Sequence, residues 1–191
     1  MIRKLVCFLL KNTGWTIDEH LPPSINKCIV IAAPHTSNWD LYYMMAAFSV
    51  YRLRIRFTIK QEWMRFPFSL LLKPLGGIAI DRSPRKDGNR PSFVEGMTEL
   101  FNNNEELIIA ITPEGTRSRN DQWKTGFFHV ARSANVPIVL GYIDYGRKVA
   151  GLGKVIYPET LEQTLEEMNA FYSTITPKYP EKFSPDRSLK A

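Results

Sequence analysis

Residues 33–40 read "APHTSNWD" and contain one of the three histidines of the chain, five positions before an aspartate. A carboxylate beside a histidine can orient the imidazole ring and stabilise its protonated form, as a general base requires. On an ideal α-helix, side chains five residues apart point about 140° away from each other. His35 must therefore lie in the turn before a helix if it is to meet Asp40, and the two residues form the candidate catalytic pair.

The same segment also has a purely structural interpretation. Pro34 ends a strand, Ser37 is a good N-cap residue, and Asp40 completes an S-x-x-D capping box at a helix start. Capping accounts for Ser37 and Asp40 but does not require His35. The chain contains no G-x-S-x-G motif, so a serine hydrolase is not indicated.

A second polar segment, "ITPEGTRSR" at residues 111–119, follows another apolar run. It turns at Glu114 and Gly115, and it then presents Thr116 and Arg117. Guanidinium groups bind two phosphate oxygens at once, and glycine lets backbone N–H groups approach the anion. The segment suits a phosphate, although taken alone it is better explained as a charged surface loop.

Apolar runs and turn residues predict the elements that position these side chains. Strands are expected at 28–33, 51–60, 77–81, 107–111, 137–142 and 154–157, and helices at 40–51, 91–103, 126–135 and 160–173. This order is broadly β-α-β-α, which predicts an α/β fold with a mostly parallel central sheet flanked by helices. Both polar segments follow strands, and ligands usually bind at the carboxyl ends of such strands.

Composition limits the class of protein. The 191 residues, 44% of them hydrophobic, favour one layered domain over residues 1–175 with a polar tail at 176–191. A net charge of +6 favours polyanionic partners such as nucleic acid, an anionic membrane or phosphorylated molecules. Two cysteines without a C-x-x-C motif and no signal-peptide pattern indicate a reducing, cytoplasmic setting.

Membrane contact is expected at the surface only, because the longest apolar runs are too short to form a transmembrane helix. Residues 1–12 interleave basic and apolar side chains, which is typical of an interfacial helix. Residues 62–75 place aromatic and leucine side chains between an arginine and a lysine, an arrangement suited to a bilayer interface or an acyl-chain groove. An ordinary helix packed on the sheet explains residues 62–75 equally well.

Four segments together resemble the glycerolipid acyltransferase family, which includes 1-acylglycerol-3-phosphate acyltransferases. They are the H-x4-D motif at His35 and Asp40, "GGIAIDRS" at 76–83, "EGTR" at 114–117 and "WKTGFFHVARSANVPIVLG" at 123–141. Their order and joint occurrence over about residues 28–145 are more specific than any one of them. The first block begins Pro-His where Asn-His is commoner, and the last lacks a usual second proline.

The resemblance implies direct acyl transfer from acyl-CoA or an acyl carrier protein to a lysophospholipid hydroxyl. His35 is then the general base, and Asp40 is the carboxylate that orients it. The implied acceptor and phosphate contacts are Glu114, Gly115, Thr116, Arg117, Arg82 and, as a looser match, Lys60. No cofactor is implied beyond the donor substrate, and no carboxylate cluster suggests a metal.

The expected acceptor is 1-acyl-sn-glycerol-3-phosphate, used at the cytoplasmic face of the cell membrane by a peripheral enzyme. Another lysophospholipid, a lyso-ornithine lipid or a glycolipid precursor would use the same chemistry. A basic nucleic-acid-binding module is the alternative from a different class. It gives no reason for the His35 and Asp40 pair, and the chain lacks a helix-turn-helix, zinc-finger or RNP signature.

Overall fold

The computed structural model describes residues 8, 10, 12–18, 26–59, 64, 66, 68–74, 76–79 and 92–188. Two candidate contacts, Lys60 and Arg82, lie outside the described residues, as does most of the predicted interfacial helix at 1–12. The strands are β1 Thr16–Ile17, β2 Lys27–Ala32, β3 Ile55–Ile59, β4 Gly77–Ala79, β5 Leu107–Ile111, β6 Ile138–Asp144 and β7 Val149–Ile156. The helices are α1 Trp39–Tyr51, α2 Ser69–Leu72, α3 Phe93–Asn102, α4 Gly126–Ala134 and α5 Leu161–Tyr172, followed by a 3-10 turn at Pro180–Lys182.

The strands form one sheet in the order β1-β7-β6-β2-β5-β3-β4. Strands β2 to β6 all run in the same direction, whereas β7 is antiparallel to β6 and β1 is parallel to β7. The predicted α/β fold with a mostly parallel sheet is confirmed. The carboxyl ends of β2, β5 and β6 meet at one edge, which we call the C-terminal edge, so the loops that follow these strands are neighbours.

The central strand β2 is buried on both faces, which is why its sequence is apolar without alternation. Ile29 and Ile31 face the larger cluster, to which α3, α4 and α5 contribute. Cys28 and Val30 face the opposite cluster, which includes Phe48 of α1. Helices on both faces therefore fix β2 tightly and position the turn that follows it.

The strand predicted at 51–60 is observed at Ile55–Ile59, so the prediction was wrong for residues 51–54. Helix α1 continues through Tyr51 and ends at Arg52, whose φ of 60° is left-handed. The last helical residue, Tyr51, packs against the same cluster as Phe48, and the chain turns at Arg52 before the strand begins at Ile55. The weak strand at 154–157 is the end of the longer strand β7, and the short strand β1 was not predicted.

The segment after α5, expected to be a polar tail from residue 176, packs on the loops at the C-terminal edge. The backbone N–H of Tyr145 donates to the Thr176 carbonyl at 2.8 Å. Asp186 is buried, and its carboxylate accepts the Trp123 backbone N–H at 2.6 Å. These bonds hold the end of the described chain beside the candidate site.

Candidate active site

His35 lies in the turn between β2 and α1, as predicted from its spacing to Asp40. The Ala33–Pro34 peptide just before it is cis. The His35 side chain is 18% exposed, and its Nδ1 atom lies 3.4 Å from Oδ2 of Asp40. The turn therefore brings together the two side chains that an intact helix would separate.

Asp40 is buried and held by four neighbouring groups. Its Oδ2 atom accepts the backbone N–H groups of Thr36 and Ser37, each at 2.8 Å, and it also faces His35. Its Oδ1 atom accepts the Tyr145 hydroxyl at 2.8 Å. Hydrogen bonds to an ionised carboxylate are stronger than neutral ones. This arrangement keeps the carboxylate oriented while one oxygen still faces the imidazole.

The predicted capping box forms only in part. The N-cap residue of α1 is Asn38 rather than Ser37, and the Asn38 side chain makes no capping hydrogen bond. The Ser37 hydroxyl accepts the Trp39 N–H at 3.2 Å instead of the Asp40 N–H. The Asp40 carboxylate nevertheless turns back onto the Ser37 N–H. Asp40 thus closes the turn with its side chain, and the same orientation faces it towards His35.

Glu114 is buried and points at the turn that holds His35. Its Oε1 atom accepts the His35 backbone N–H at 2.9 Å, whereas its Oε2 atom has no hydrogen-bond partner among the described residues. Burial is the main reason that the pKa of Glu114 rises to about 7, and the His35 N–H bond partly opposes that rise. Glu114 therefore supports the His35 backbone from the loop after β5.

Glu114→Gln is expected to flatten the pH dependence of stability. The folded-state pKa of about 7 exceeds the ordinary value of 4.5, so the stability that the neutral carboxyl contributes is complete below about pH 4.5 and is lost as pH rises through about 7. Glutamine is neutral at every pH and can accept the same N–H. Urea unfolding should show the variant roughly 1–3 kcal/mol more stable than the unsubstituted protein at about pH 8, and about equal at pH 4.5. If the unfolding free energies of the two proteins changed identically with pH, the raised pKa of Glu114 would be refuted.

The other three residues of the "EGTR" segment do not face the His35 backbone as Glu114 does. Gly115 and Arg117 line a cavity, whereas the exposed Thr116 accepts the Ser118 N–H at 3.2 Å within its own loop. Gly115 has a φ of 67°, and a Cβ atom there would lie 2.8 Å from the Lys124 side chain. The left-handed φ favours glycine at this turn, and Arg117 and Lys124 line the same cavity.

The cavity measures about 890 Å³ and is lined by α1, by the sheet and by the starts of α3 and α4. The loops after β2 and β5 are neighbours at the C-terminal edge, so His35, Asp40, Arg117 and Lys124 line one end of the cavity, which we call its polar end. The remaining wall is mainly apolar and includes Val30, Met44, Phe48, Phe57, Ala110 and Leu152. A cavity of this kind can hold an apolar chain with a polar or anionic group at its open end.

Tyr145 and Lys124 were not identified as site residues from the sequence. Tyr145 directly follows β6, whose carboxyl end lies beside that of β2. Burial and the bond to Asp40 raise the pKa of Tyr145 above its ordinary range, so its hydroxyl remains a donor. The position of Tyr145 just after a predicted strand could have marked it as a candidate site residue. The sequence did not show, however, that β6 pairs with β2 and so brings Tyr145 close to Asp40.

The described part of the chain contains no group of three or more His, Cys, Asp or Glu side chains placed to hold a metal ion. No helix within those residues has both the length and the apolar character of a membrane span. In the 62–75 segment, Phe66, Phe68 and Leu70 are exposed, and α2 has only four residues. These three side chains are therefore not packed on the sheet.

The chain is similar to known proteins in sequence and in fold. A family model described as Acyltransferase matches residues 15–142. A curated relative, the 1-acyl-sn-glycerol-3-phosphate acyltransferase of Haemophilus influenzae, is 31% identical over 135 residues, which are 66% of this chain and 52% of the relative. The chain thus spans about half the length of that relative.

A solved structure shares the fold. It is the crystal structure of the 1-acyl-sn-glycerophosphate (LPA) acyltransferase, PlsC, from Thermotoga maritima, with a TM-score of 0.55 and 17% identity, covering 87% of this chain and 74% of that chain. The region matched by the family model includes the His35 turn, the "EGTR" segment and the start of β6. With most of its site and sheet inside that match, the chain belongs to the acyltransferase family.

Proposed function

We propose that this acyltransferase moves a fatty acyl group from a thioester donor to a hydroxyl of 1-acyl-sn-glycerol-3-phosphate. The observation that carries the proposal is the His35 and Asp40 pair at the polar end of a mainly apolar cavity. Family membership supports the reaction class, and the name of the Haemophilus influenzae relative supports the acceptor. The donor is acyl-CoA or an acyl carrier protein thioester.

His35 supplies the general base in this reaction. Its Nδ1 faces Asp40, which leaves Nε2 to take the proton of the acceptor hydroxyl. The acceptor oxygen then attacks the thioester carbonyl carbon, so that a C–O bond forms and the C–S bond breaks. The proton passes from His35 to the leaving thiolate. Asp40 faces the imidazolium that forms between the two steps and stabilises it.

Arg117 and Lys124 are cations among the described residues that line the polar end of the cavity. A phosphate there would receive charge-assisted hydrogen bonds from the guanidinium of Arg117. The apolar wall would receive the acyl chain, whose burial favours binding by about 0.8 kcal/mol for each CH₂ group. The chemistry of this end therefore favours an acceptor that carries a phosphate over a neutral glycolipid precursor.

Arg117→Ala is expected to raise the KM for 1-acyl-sn-glycerol-3-phosphate by roughly 10- to 100-fold with a smaller change in kcat. A hydrogen bond to a charged group contributes about 1.5–3 kcal/mol, and loss of ground-state binding appears mainly in KM. Arg119→Ala is the matched control, because Arg119 pairs with Asp121 at 3.2 Å. An unchanged KM in Arg117→Ala, or an equal rise in both variants, would argue against a phosphate contact at Arg117.

A panel of acceptors and donors tests the substrate assignment. The acceptors are 1-acyl-sn-glycerol-3-phosphate, other lysophospholipids, a lyso-ornithine lipid and a glycolipid precursor, each offered with labelled acyl-CoA and acyl carrier protein. Fastest transfer to 1-acyl-sn-glycerol-3-phosphate is expected. Faster transfer to another acceptor would replace the acceptor but keep the reaction, whereas no transfer to any of them would overturn the proposal.

A further inference from the structure

An exposed group of aromatic and lysine side chains lies at the start of α1. Trp39, Leu41 and Tyr42 are 55%, 47% and 43% exposed, which is unusual for large apolar side chains so close together. Tyr179, also exposed, lies beside them in the segment after α5 together with Lys178 and Lys182. We call these residues the aromatic rim: Trp39, Leu41, Tyr42, Lys178, Tyr179 and Lys182.

The aromatic rim is one continuous surface. The Trp39 and Tyr42 rings are 6.1 Å apart, edge to face. Lys178 Nζ lies 5.2 Å from the Trp39 ring centroid and 5.8 Å from that of Tyr179. Lys182 Nζ lies 4.4 Å from the Tyr179 ring centroid. Cation–π contacts thus join the helix to the later segment and hold both lysines against aromatic faces.

The rim borders the opening of the cavity. Leu41 is exposed and also lines the cavity, so the outer surface continues into the apolar wall. The Tyr179 N–H lies 3.4 Å from the Thr36 hydroxyl oxygen, to which it donates, in the turn that holds His35. Whatever covers the rim therefore lies beside the polar end of the cavity.

The exposed charge around the rim is mainly positive. Lys182 is exposed and Lys178 is half-buried within it, and Arg117 and Lys124 are exposed where they line the cavity. Among acidic side chains of the neighbouring described segments, Glu181 is exposed, whereas Asp40 and Glu114 are buried. This surface therefore complements an anionic partner.

We propose that the aromatic rim docks the protein on an anionic lipid bilayer and seats the cavity opening on the membrane. Tryptophan and tyrosine favour the headgroup region of a bilayer, and each lysine near an anionic surface adds electrostatic attraction. Lysine is depleted in protein–protein interfaces, which favours a lipid surface over a protein partner. A lipid substrate could then pass from the bilayer along Leu41 into the cavity.

Binding to sucrose-loaded vesicles tests the docking surface without any acyl transfer, so its outcome is independent of the proposed function. The vesicles contain phosphatidylglycerol and phosphatidylethanolamine, with phosphatidylcholine vesicles for comparison. Trp39→Ser combined with Tyr42→Ser should lower partition at least about 10-fold. Lys178→Gln combined with Lys182→Gln should lower it roughly 10- to 30-fold on the anionic vesicles and little on phosphatidylcholine.

Tyr157→Ser is the matched control. Tyr157 is 75% exposed, but it follows β7, which is antiparallel to β6 and so ends at the opposite edge of the sheet. Its partition should match that of the unsubstituted protein. Unchanged binding by the rim variants, or equal loss in Tyr157→Ser, would overturn the proposal. Rim-dependent binding of acyl carrier protein without vesicle binding would also overturn it and assign the surface to an acidic protein.

Tryptophan fluorescence gives a second readout with a milder substitution. Trp63, the fourth tryptophan of the chain, is replaced by phenylalanine in both of the proteins to be compared. Trp15 and Trp123 are buried, so a quencher in the bilayer reaches them poorly. Vesicles with brominated acyl chains should quench the protein that keeps Trp39 more than its Trp39→Phe variant, which lacks the fluorescent ring that enters the bilayer. Equal fractional quenching of the two proteins would show that Trp39 stays outside the bilayer and would overturn the proposal.

Discussion

His35→Ala is expected to lower kcat for acyl transfer by about 10³-fold, because general-base catalysis contributes roughly 10²- to 10⁴-fold. The imidazole is the group that takes the hydroxyl proton, and alanine offers no replacement. The fold should persist, since the bond to Glu114 uses the backbone N–H of residue 35 and survives the substitution. The measurement is the initial rate with saturating donor and acceptor, together with circular dichroism and a urea midpoint.

His129→Ala is the matched control for this prediction. His129 is exposed on α4, outside the residues that line the cavity. Its substitution should leave kcat within about twofold, as is usual for surface positions. If His35→Ala retained full activity in a folded protein, His35 would not be the base, and the proposed mechanism would fail.

Asp40→Asn is expected to lower kcat by about 10²- to 10³-fold and to destabilise the protein by roughly 1–3 kcal/mol. The carboxylate now accepts Thr36 and Ser37 at one oxygen and Tyr145 at the other. An amide has one acceptor oxygen and one NH₂ group, so at least one of these donors loses its partner. His35 also loses the negative charge that faces its Nδ1.

Asp186→Asn separates these two effects. Asp186 is another buried carboxylate, which accepts the Trp123 N–H and lies outside the cavity lining. It should lose comparable stability in urea unfolding while the folded protein keeps its kcat. If Asp40→Asn lost stability but kept kcat, closure of the turn alone would explain Asp40. The carboxylate charge would then have no part in the reaction.

The sequence by itself determined the features that depend on local order. The apolar run of β2 predicted a strand buried on both faces, and the segment 107–111 was placed at its observed bounds. The five-residue spacing of His35 and Asp40 predicted that His35 lies in a turn, because helical geometry forbids the contact. Four motifs in order also identified the acyltransferase family, which the family match confirms. The predicted roles of these residues in catalysis stay predictions.

The tertiary structure decided the contacts that join distant segments. Tyr145 lies 105 residues after Asp40, and it reaches that carboxylate because β6 pairs with β2 and ends at the same edge. Glu114 belongs to a motif that suggested a phosphate contact, yet its carboxyl turns inward to the His35 backbone because β5 lies on the other side of β2. The periodicity of apolar residues indicates which faces of a segment are buried, but it does not indicate which other segments pack beside it. Strand order therefore had to come from the packed sheet.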